Sequence, residues 1–504
     1  MSKIAKLEWL LLTLIILLSL TSQFFFIMPV TLSDEMIYYR AAVQFPRMTE
    51  TPNHWTMRLG VVLPVAVLYR IFGHSEIAYY FLPISSTLLL TISTYLIGRM
   101  LFNPLIGLIA SAWMSLLPHF LLESGNLLPD STATACITTG ILLILSMRAD
   151  PGKKAGKWIC LASGALFGWA YLAKEYFAVF ALIVPIIFFI YKIPIKYLLL
   201  FSLGVVASIS IEFAIHTLAY GNPLIRLSTS QPRETTAQIE TDTLKIMRLF
   251  FIRMAGYRGA ASSIITATGL ISLGFMSFKR SKPHQVLFTW IMVVYIFFTL
   301  LGLLPVILKW ENEVILRLHL FRYWMPLLPP LAIGCAAVWD SAIHKILSRR
   351  IKNHQKARII SSIFVILVFV AASTMGISAV KKNMKFVHTG SAHYQELRAY
   401  LANPSNANTE IWVVRDLKIG YEYVLPIYAN KPLGKDIWNG QIKYLNTDGQ
   451  FLDAGEITNG SVLIDRVHFN PQSYPIPQYL ATPPDNWELA FESSNQRIAL
   501  YHIH

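Results

Sequence analysis

Long apolar runs dominate the first three quarters of the chain and limit what it can fold into. A helix needs about 20 predominantly apolar residues to cross the hydrocarbon core of a bilayer, and runs of about this length recur between residues 9 and 380. The chain of 504 residues is 54% hydrophobic and 14% charged, whereas a soluble domain has about 25% charged residues. These features exclude an ordinary soluble protein and predict a polytopic α-helical membrane protein.

We expect about eleven transmembrane helices. They are placed at residues 9–31, 76–98, 104–122, 131–147, 158–173, 176–191, 197–219, 260–278, 285–308, 319–343 and 359–380. The stretch 59–72 is apolar but short, which favours a half-buried or interfacial helix. Bulky residues rather than a small-residue cleavage site follow the first run, so we interpret it as a retained helix and not as a signal peptide.

Lysine and arginine set the expected orientation, because they are enriched in cytoplasmic loops. They occur at the N-terminus and then in every second loop: Lys3, Lys6, Arg99, Arg148, Lys153, Lys154, Lys157, Lys192, Lys196, Lys279, Arg280, Lys282, Lys345, Arg349, Arg350, Lys352, Lys356 and Arg358. The N-terminus is therefore expected in the cytoplasm, and the long loops 32–75 and 220–258 and the tail 381–504 on the opposite side. The net charge of +15 is explained by these loops and does not indicate nucleic-acid binding.

Two regions outside the spans have a pattern of their own. The stretch "TTAQIETDTLKIMRLFFIRM" within 220–258 has apolar residues at helical spacing, which is typical of a helix that lies in the membrane interface. In the tail, "SAHYQELRAYLAN" predicts an amphipathic helix, and "EIWVV", "SVLIDR" and "RIALYHI" predict strands. We therefore expect a membrane domain at 1–380 and a small extracytoplasmic α/β domain at 381–504.

The three cysteines are interpreted as structural thiols. Cys136, Cys160 and Cys335 lie in or beside apolar runs, and no CxxC pair or histidine at metal-ligand spacing accompanies them.

Charged residues concentrate at the predicted outer ends of the spans. The set comprises Asp34, Glu35, Arg58, Glu123, Asp130, Lys174, Glu175, Arg317, His319 and Arg322. A carboxylate can accept a proton from an attacking hydroxyl, and arginine and lysine can bind a phosphate and stabilise the charge that develops on it. These are the groups needed to move a sugar from a polyprenyl phosphate to an acceptor hydroxyl. Such a donor needs no nucleotide site, and the chain has no GxxxxGK[ST] sequence.

Five motifs follow one another in an order that resembles a known enzyme family. They are "LSDEMIYYRAA", "NHWTMRLGVVLPVAVLYRIFG", "NLLPDSTAT", "YLAKEYF" and "FRYWMPLLPPLA". Their order over residues 5–345 resembles the GT-C glycosyltransferases that use polyprenyl-phosphate sugars, of the protein O-mannosyltransferase and lipid A aminoarabinose transferase type. Two features differ from that family. Asn53-His54-Trp55 replaces a proline-containing motif, and the tail does not resemble a β-trefoil domain.

The resemblance implies a role for each matching residue. Asp34 would be the catalytic base, and Glu35 would orient a neighbour or bind a metal ion or a sugar hydroxyl. Lys174 and Arg322, which is followed by Tyr323 in the same motif, would bind the donor phosphate. Arg58 is a further candidate for that role, and Asp130 would shape the site. The family also implies inversion at the anomeric carbon. No three residues form a metal triad by spacing, so no cofactor is predicted and a divalent cation remains an open question.

The expected partners are the bilayer, a polyprenyl-phosphate sugar and an acceptor on a glycan, lipid A or a protein. The expected location is the outer face of a bacterial inner membrane, and an archaeal plasma membrane fits nearly as well. Simpler interpretations stay open. Asp34 and Glu35 are also compatible with a helix cap, Lys174 with a side chain that reaches the interface, and Arg322 with an interfacial anchor. A flippase or transporter of a lipid-linked precursor is the alternative function, for which Glu212 and Asp340 supply charges within spans. A scaffold protein of envelope assembly is a third.

Overall fold

The computed structural model describes most of the chain, with gaps between the described ranges. The described residues are 3–26, 30, 34–47, 55–117, 120–121, 125–149, 155–229, 274, 281–307, 321–351, 353–414, 421–429, 438, 440–447, 450–457, 459–466 and 476–503.

Helices make up most of the described chain. They are α1 (Lys3–Phe26), α2 (Asp34–Gln44), α3 (Leu59–Phe72), α4 (Glu76–Leu101), α5 (Pro104–Ser115), α6 (Pro129–Ser146), α7 (Gly156–Ala173), α8 (Ile183–Tyr191), α9 (Lys196–Tyr220), α10 (Ile225–Thr229), α11 (Lys282–Ile307), α12 (Leu328–Arg350), α13 (His354–Leu401), α14 (Tyr421–Ala429) and α15 (Gln478–Ala481). Two 3-10 segments, Glu175–Leu182 and Phe321–Leu327, precede α8 and α12.

The helices coincide with the apolar runs. Each predicted span that falls on described residues overlaps a helix, and the short helix predicted at 59–72 is α3. Among the described residues, four helices are long and apolar enough to cross a membrane: Lys6–Phe26, Glu76–Leu101, Lys196–Tyr220 and Tyr323–Arg350. The chain is a multi-pass membrane protein. The span predicted at 260–278, except residue 274, and the interfacial helix predicted within 220–258 from residue 230 onward lie outside the described residues.

The chain forms two compact units. The first comprises residues 1–27, 58–61 and 83–382, and the second comprises residues 28–57, 62–82 and 383–504. The first loop predicted on the outer side therefore falls largely in the same unit as the tail. The division between a membrane domain at 1–380 and a tail domain at 381–504 stays a prediction.

Small residues hold α7 and α9 together in the first unit. A Cβ on Gly164 would collide with the carbonyl oxygen of Phe201, and a Cβ on Gly204 would collide with the carbonyl oxygen of Leu161. Glycine at these positions lets the two backbones approach closely, which is how helices associate where lipid removes the hydrophobic driving force. This packing fixes the distance between the C-terminal ends of α7 and α9, where the candidate site lies.

We expect Gly164→Val to destabilise the protein by about 3 kcal/mol, because the backbone carbonyl of Phe201 cannot rotate away from the added side chain. Ala162→Val adds the same β-branched side chain on an exposed position of the same helix and is the matched control. Thermal unfolding in detergent measures both. Equal melting temperatures for the two variants would contradict the close α7–α9 packing.

Hydroxyl groups join α4 to its neighbours in the same unit. Ser86 Oγ lies 3.1 Å from Thr132 Oγ1, and Ser93 Oγ lies 3.0 Å from Thr139 Oγ1. Two hydrogen bonds between hydroxyl groups therefore link α4 to α6. Such interhelical bonds between buried hydroxyls contribute modestly to packing in membranes. They place the start of α6, which carries Asp130, against α4.

The second unit contains a mixed sheet. Its strands are β1 (Ile411–Val413), β2 (Ile442–Tyr444), β5 (Gly460–Asp465), β6 (Trp487–Glu492) and β7 (Ile498–Ile503), in the order β2-β1-β5-β7-β6. β1 runs parallel to β2 and β5, and β7 runs antiparallel to β5 and β6. A separate hairpin joins β3 (Asn446–Thr447) and β4 (Gln450–Phe451). The three strands predicted in the tail are found as β1, β5 and β7.

The core of this sheet is apolar. Its buried residues are Val414, Leu445, Ile457, Val462, Ile464, Leu480, Trp487 and Ile503.

The amphipathic helix predicted at "SAHYQELRAYLAN" is also present, as the last part of α13, which continues without interruption from His354. All three cysteines are buried and unpaired with one another.

Candidate active site

A buried ion pair joins the start of α6 to the end of α7. Asp130 lies in the first turn of α6 after Pro129, where a carboxylate is favoured by the helix dipole. Lys174 ends α7 in an extended conformation, and its Nζ donates to Asp130 Oδ1 at 2.5 Å. The Lys174 side chain is 3% exposed and the Asp130 side chain is 2% exposed. Charges buried this deeply are tolerated only when each is paired with an opposite charge. The ion pair therefore holds the start of α6 against the end of α7.

Aromatic rings surround the same ammonium group. Lys174 Nζ lies 4.1 Å from the ring centroid of Tyr323 and 5.0 Å from that of Tyr176. Both distances are within the range of cation–π attraction. Tyr323 belongs to the 3-10 segment before α12, so a third part of the chain converges on Lys174.

A second set of charges lies beside this pair, at the turn after α7. Glu175 Oε1 is 3.9 Å from Arg58 Nη2, and Glu175 Oε2 accepts from Arg226 Nη2 at 2.7 Å. Arg226 Nη1 donates to Glu212 Oε2 at 2.6 Å. Positive and negative groups thus alternate from Glu212 through Arg226 and Glu175 to Arg58.

Close packing holds Arg58 near this turn. A Cβ on Gly60 would collide with the backbone of Ala173, so only glycine fits where the start of α3 meets the end of α7. Trp169 Nε1 donates to the carbonyl oxygen of Gly60 at 3.1 Å. Arg58 lies two residues before Gly60. The close contact of Gly60 with Ala173 therefore also fixes the position of the Arg58 backbone.

The acidic pair Asp34 and Glu35 forms the first turn of α2, which belongs to the second unit. Asp34 is half-buried and Glu35 is buried. Tyr38 and Tyr39, one turn later, are buried as well. The helix begins at the acidic pair, which is compatible with both a catalytic role and a role in helix capping.

Tail residues contact the other end of α2 within the second unit. Gln44 Nε2 donates to the hydroxyl of Tyr423 at 2.8 Å, and the Arg40 guanidinium lies 5.7 Å from the centroid of the same ring. Tyr423 belongs to α14. The helix that carries the acidic pair is therefore packed against a helix of the tail.

The predicted residues divide between the units. Arg58, Asp130, Lys174 and Tyr323 come together in the first unit, although Arg58 and Asp130 are far apart in sequence. Asp34 and Glu35 lie in the second unit. Arg322 is part of the 3-10 segment Phe321–Leu327, but its side chain lies outside the described atoms, as do Glu123, Arg317 and His319.

Sequence reasoning did not identify Arg226 and did not connect Glu212 to the site. The sequence did contain a signal for this pair. A carboxylate within a membrane span needs a basic partner, and Arg226 is an arginine only 14 residues after Glu212. Within the described part of the chain, no group of three or more histidine, cysteine, aspartate or glutamate residues is arranged to hold a metal ion.

The carboxylates within spans have partners inside the protein. Glu212 is paired with Arg226, and Asp340 Oδ2 lies 3.8 Å from Arg358 Nη2. These were the charges that the transporter hypothesis relied on. Because each is matched by a neighbouring arginine, neither indicates a path for a charged substrate, and the transporter hypothesis is not favoured.

A family model matches part of the chain. Residues 60–212 match the model of the family described as dolichyl-phosphate-mannose-protein mannosyltransferase. No curated protein sequence matches the chain.

Solved structures share the fold over 88–99% of the chain. ArnT from Cupriavidus metallidurans in the apo state has a TM-score of 0.63 and 14% identity, and the alignment covers 99% of this chain and 98% of that one. The same protein bound to undecaprenyl phosphate has a TM-score of 0.62 and 14% identity, with 97% of each chain covered. The archaeal oligosaccharyltransferase AglB from Archaeoglobus fulgidus, in complex with an inhibitory peptide and a dolichol-phosphate, has a TM-score of 0.51 and 14% identity. That alignment covers 88% of this chain and 62% of that one. The resemblance to GT-C glycosyltransferases that use polyprenyl-phosphate donors is confirmed.

Proposed function

We propose that the chain is an integral-membrane glycosyltransferase that moves a sugar from a polyprenyl-phosphate donor to a hydroxyl or phosphate group of an acceptor. The acceptor is a glycan, lipid A or a protein. The reaction takes place at the outer face of a bacterial inner membrane, with the N-terminus in the cytoplasm and the tail outside. The orientation rests on the basic residues in alternate loops.

The buried charge cluster of the first unit carries this proposal. It brings three basic side chains, Arg58, Lys174 and Arg226, to the turn at the end of α7. Its acidic members Asp130, Glu175 and Glu212 all fall inside the segment 60–212 that matches the mannosyltransferase family. Basic side chains such as Arg58 and Lys174 inside a membrane protein are suited to a ligand that joins an apolar chain to a phosphate.

The donor class is supported by the ligands of the structural relatives. One relative is bound to undecaprenyl phosphate and another to a dolichol-phosphate. We propose that Lys174 and Arg322 bind the donor phosphate and that Arg58 is a third contact. Arg58 is an ion-pair partner of Glu175, with Nη2 3.9 Å from Oε1.

The reaction itself is one displacement at the anomeric carbon. The acceptor oxygen attacks that carbon as the bond to the phosphate oxygen breaks, and the polyprenyl phosphate leaves with the electron pair. Asp34 takes the proton of the acceptor hydroxyl as general base, while the basic residues stabilise the charge that returns to the phosphate. Displacement from the opposite face gives inversion. Glu35 orients a neighbour or binds a sugar hydroxyl or a metal ion, and Asp130 shapes the site by holding Lys174.

Mass spectrometry of envelope lipids and glycoproteins tests the proposal. A strain that lacks the chain and the same strain that carries it are compared. We expect the deletion strain to lose one sugar from one class of acceptor and to accumulate the matching polyprenyl-phosphate sugar. This result identifies donor and acceptor together. Loss of the same sugar with the precursor trapped on the cytoplasmic face, rather than exposed on the outer face, would instead support a flippase.

A further inference from the structure

Arg226 is almost fully enclosed, and both of its terminal nitrogens have partners. It is 2% exposed and Glu212 is 1% exposed. Nη1 donates to Glu212 at 2.6 Å, with a further contact to the carbonyl oxygen of Leu172 at 3.4 Å, and Nη2 donates to Glu175 at 2.7 Å. One guanidinium thus holds two carboxylates at once, Glu212 from α9 and Glu175 from the turn after α7. The geometry therefore fits a residue that holds other side chains better than one that binds the donor.

Tyr171 completes the surroundings of this group. Its hydroxyl donates to Glu212 Oε1 at 3.4 Å, and its ring centroid lies 5.3 Å from Arg226 Cζ. Tyr171 and Leu172 belong to the last turn of α7, and Glu212 belongs to α9. Arg226, in the short helix α10, thus bridges two helices whose spacing is fixed by Gly164 and Gly204.

Glu175 is the link between this bridge and the candidate phosphate site. Its side chain is 29% exposed, in contrast to the enclosed Arg226, and each of its oxygens faces a different arginine. One oxygen faces Arg226 and the other faces Arg58. Without Arg226, a glutamate at this position would be free to rotate, and Arg58 would lose a fixed counter-charge.

We infer that Arg226, anchored by Glu212, is a positioning residue that sets the orientation of Arg58 through Glu175. The inference rests on the proposed function, since it assigns Arg58 to the donor phosphate. Its consequence is that donor affinity depends on a residue that does not contact the donor. A planar guanidinium is required, because lysine is a single point of charge and cannot serve two carboxylates in a fixed geometry.

The experiment measures the dissociation constant of undecaprenyl phosphate for the purified full-length protein in detergent, by ligand-induced thermal stabilisation. Arg226→Lys keeps the charge, and Arg226→Met/Glu212→Leu removes both buried charges together, which limits the effect on folding. We expect about a tenfold to 100-fold weaker binding in both, which is the usual cost of changing a residue that orients a ligand-binding group.

The control is another ion pair of the first unit, in which Arg99 Nε lies 2.5 Å from Glu8 Oε1, although the Arg99 side chain is 47% exposed. Arg99→Met/Glu8→Leu makes the same replacement away from the charge cluster and is expected to leave undecaprenyl phosphate binding unchanged. Equal weakening by both double variants would overturn the inference, because it would show a general effect of removing an ion pair from the first unit.

A double-mutant cycle separates a positioning role from a structural one. If Arg226 acts through Glu175, Arg226→Lys adds little to the loss of binding already caused by Glu175→Gln. Additive losses would overturn the inference, as would wild-type affinity in a folded Arg226→Lys protein. If the wild-type protein does not bind undecaprenyl phosphate, the donor class of the proposed function is wrong and the inference falls with it. That outcome is distinct from unchanged binding in the variants.

Discussion

Asp34→Asn is expected to lower the turnover number of sugar transfer by about 10²- to 10⁴-fold, which is the usual contribution of a general base. Asparagine has nearly the same shape and still fits the first turn of α2, but its amide cannot take a proton from the acceptor hydroxyl. Binding of undecaprenyl phosphate should change little, because the proposed phosphate contacts are basic residues elsewhere. Transfer kinetics with the purified protein, with donor and acceptor identified from the envelope comparison, give both quantities.

Asp485→Asn is the control, because it makes the same chemical change at an exposed turn before β6. It should keep full transfer activity. If Asp34→Asn also keeps full activity in a normally expressed protein, the acidic pair serves only to start α2. The general base would then have to be sought elsewhere in the chain.

The apolar runs predicted the positions of the helices well, because hydrocarbon leaves the backbone no other hydrogen-bond partners. The details of the ends were less predictable. The run predicted at 176–191 begins as the 3-10 segment Glu175–Leu182. The last span is predicted to end near residue 380, but the helix that contains it, α13, continues to Leu401. Residues 377–401 contain one glycine and no proline, so no strong helix-ending signal separates the span from the amphipathic helix that follows.

The candidate residues could be selected from the sequence, but their partners could not. The motif assigns Lys174 to a donor phosphate, and the structure shows Asp130, 44 positions earlier, at hydrogen-bond distance from its ammonium group. Arg226 was missed for a related reason. Its importance depends on Glu212 and Glu175 being brought together by the close approach of α7 and α9, which the sequence reveals only as scattered glycines. Ion-pair partners in this unit are thus decided by helix packing rather than by spacing along the chain.

Lys174→Met is expected to destabilise the protein by about 3–5 kcal/mol, because it leaves the carboxylate of Asp130 buried without its counter-charge. Asp130→Leu/Lys174→Met removes both charges and should recover most of that stability. Lys157→Met makes the same change at an exposed position near the start of α7 and should change stability by less than about 0.5 kcal/mol. Thermal unfolding in detergent compares the three variants, and a melting temperature for Lys174→Met equal to that of Lys157→Met would contradict the buried pair.

The double variant also separates the two roles proposed for Lys174. If its only role is to hold Asp130, a folded Asp130→Leu/Lys174→Met protein binds undecaprenyl phosphate as the wild type does, since apolar side chains then fill the space of the ion pair. If Lys174 also binds the donor phosphate, the double variant regains stability but not affinity. We expect the second result. The aromatic rings of Tyr176 and Tyr323 keep the ammonium in a water-poor setting, where its attraction to a phosphate is stronger than in water.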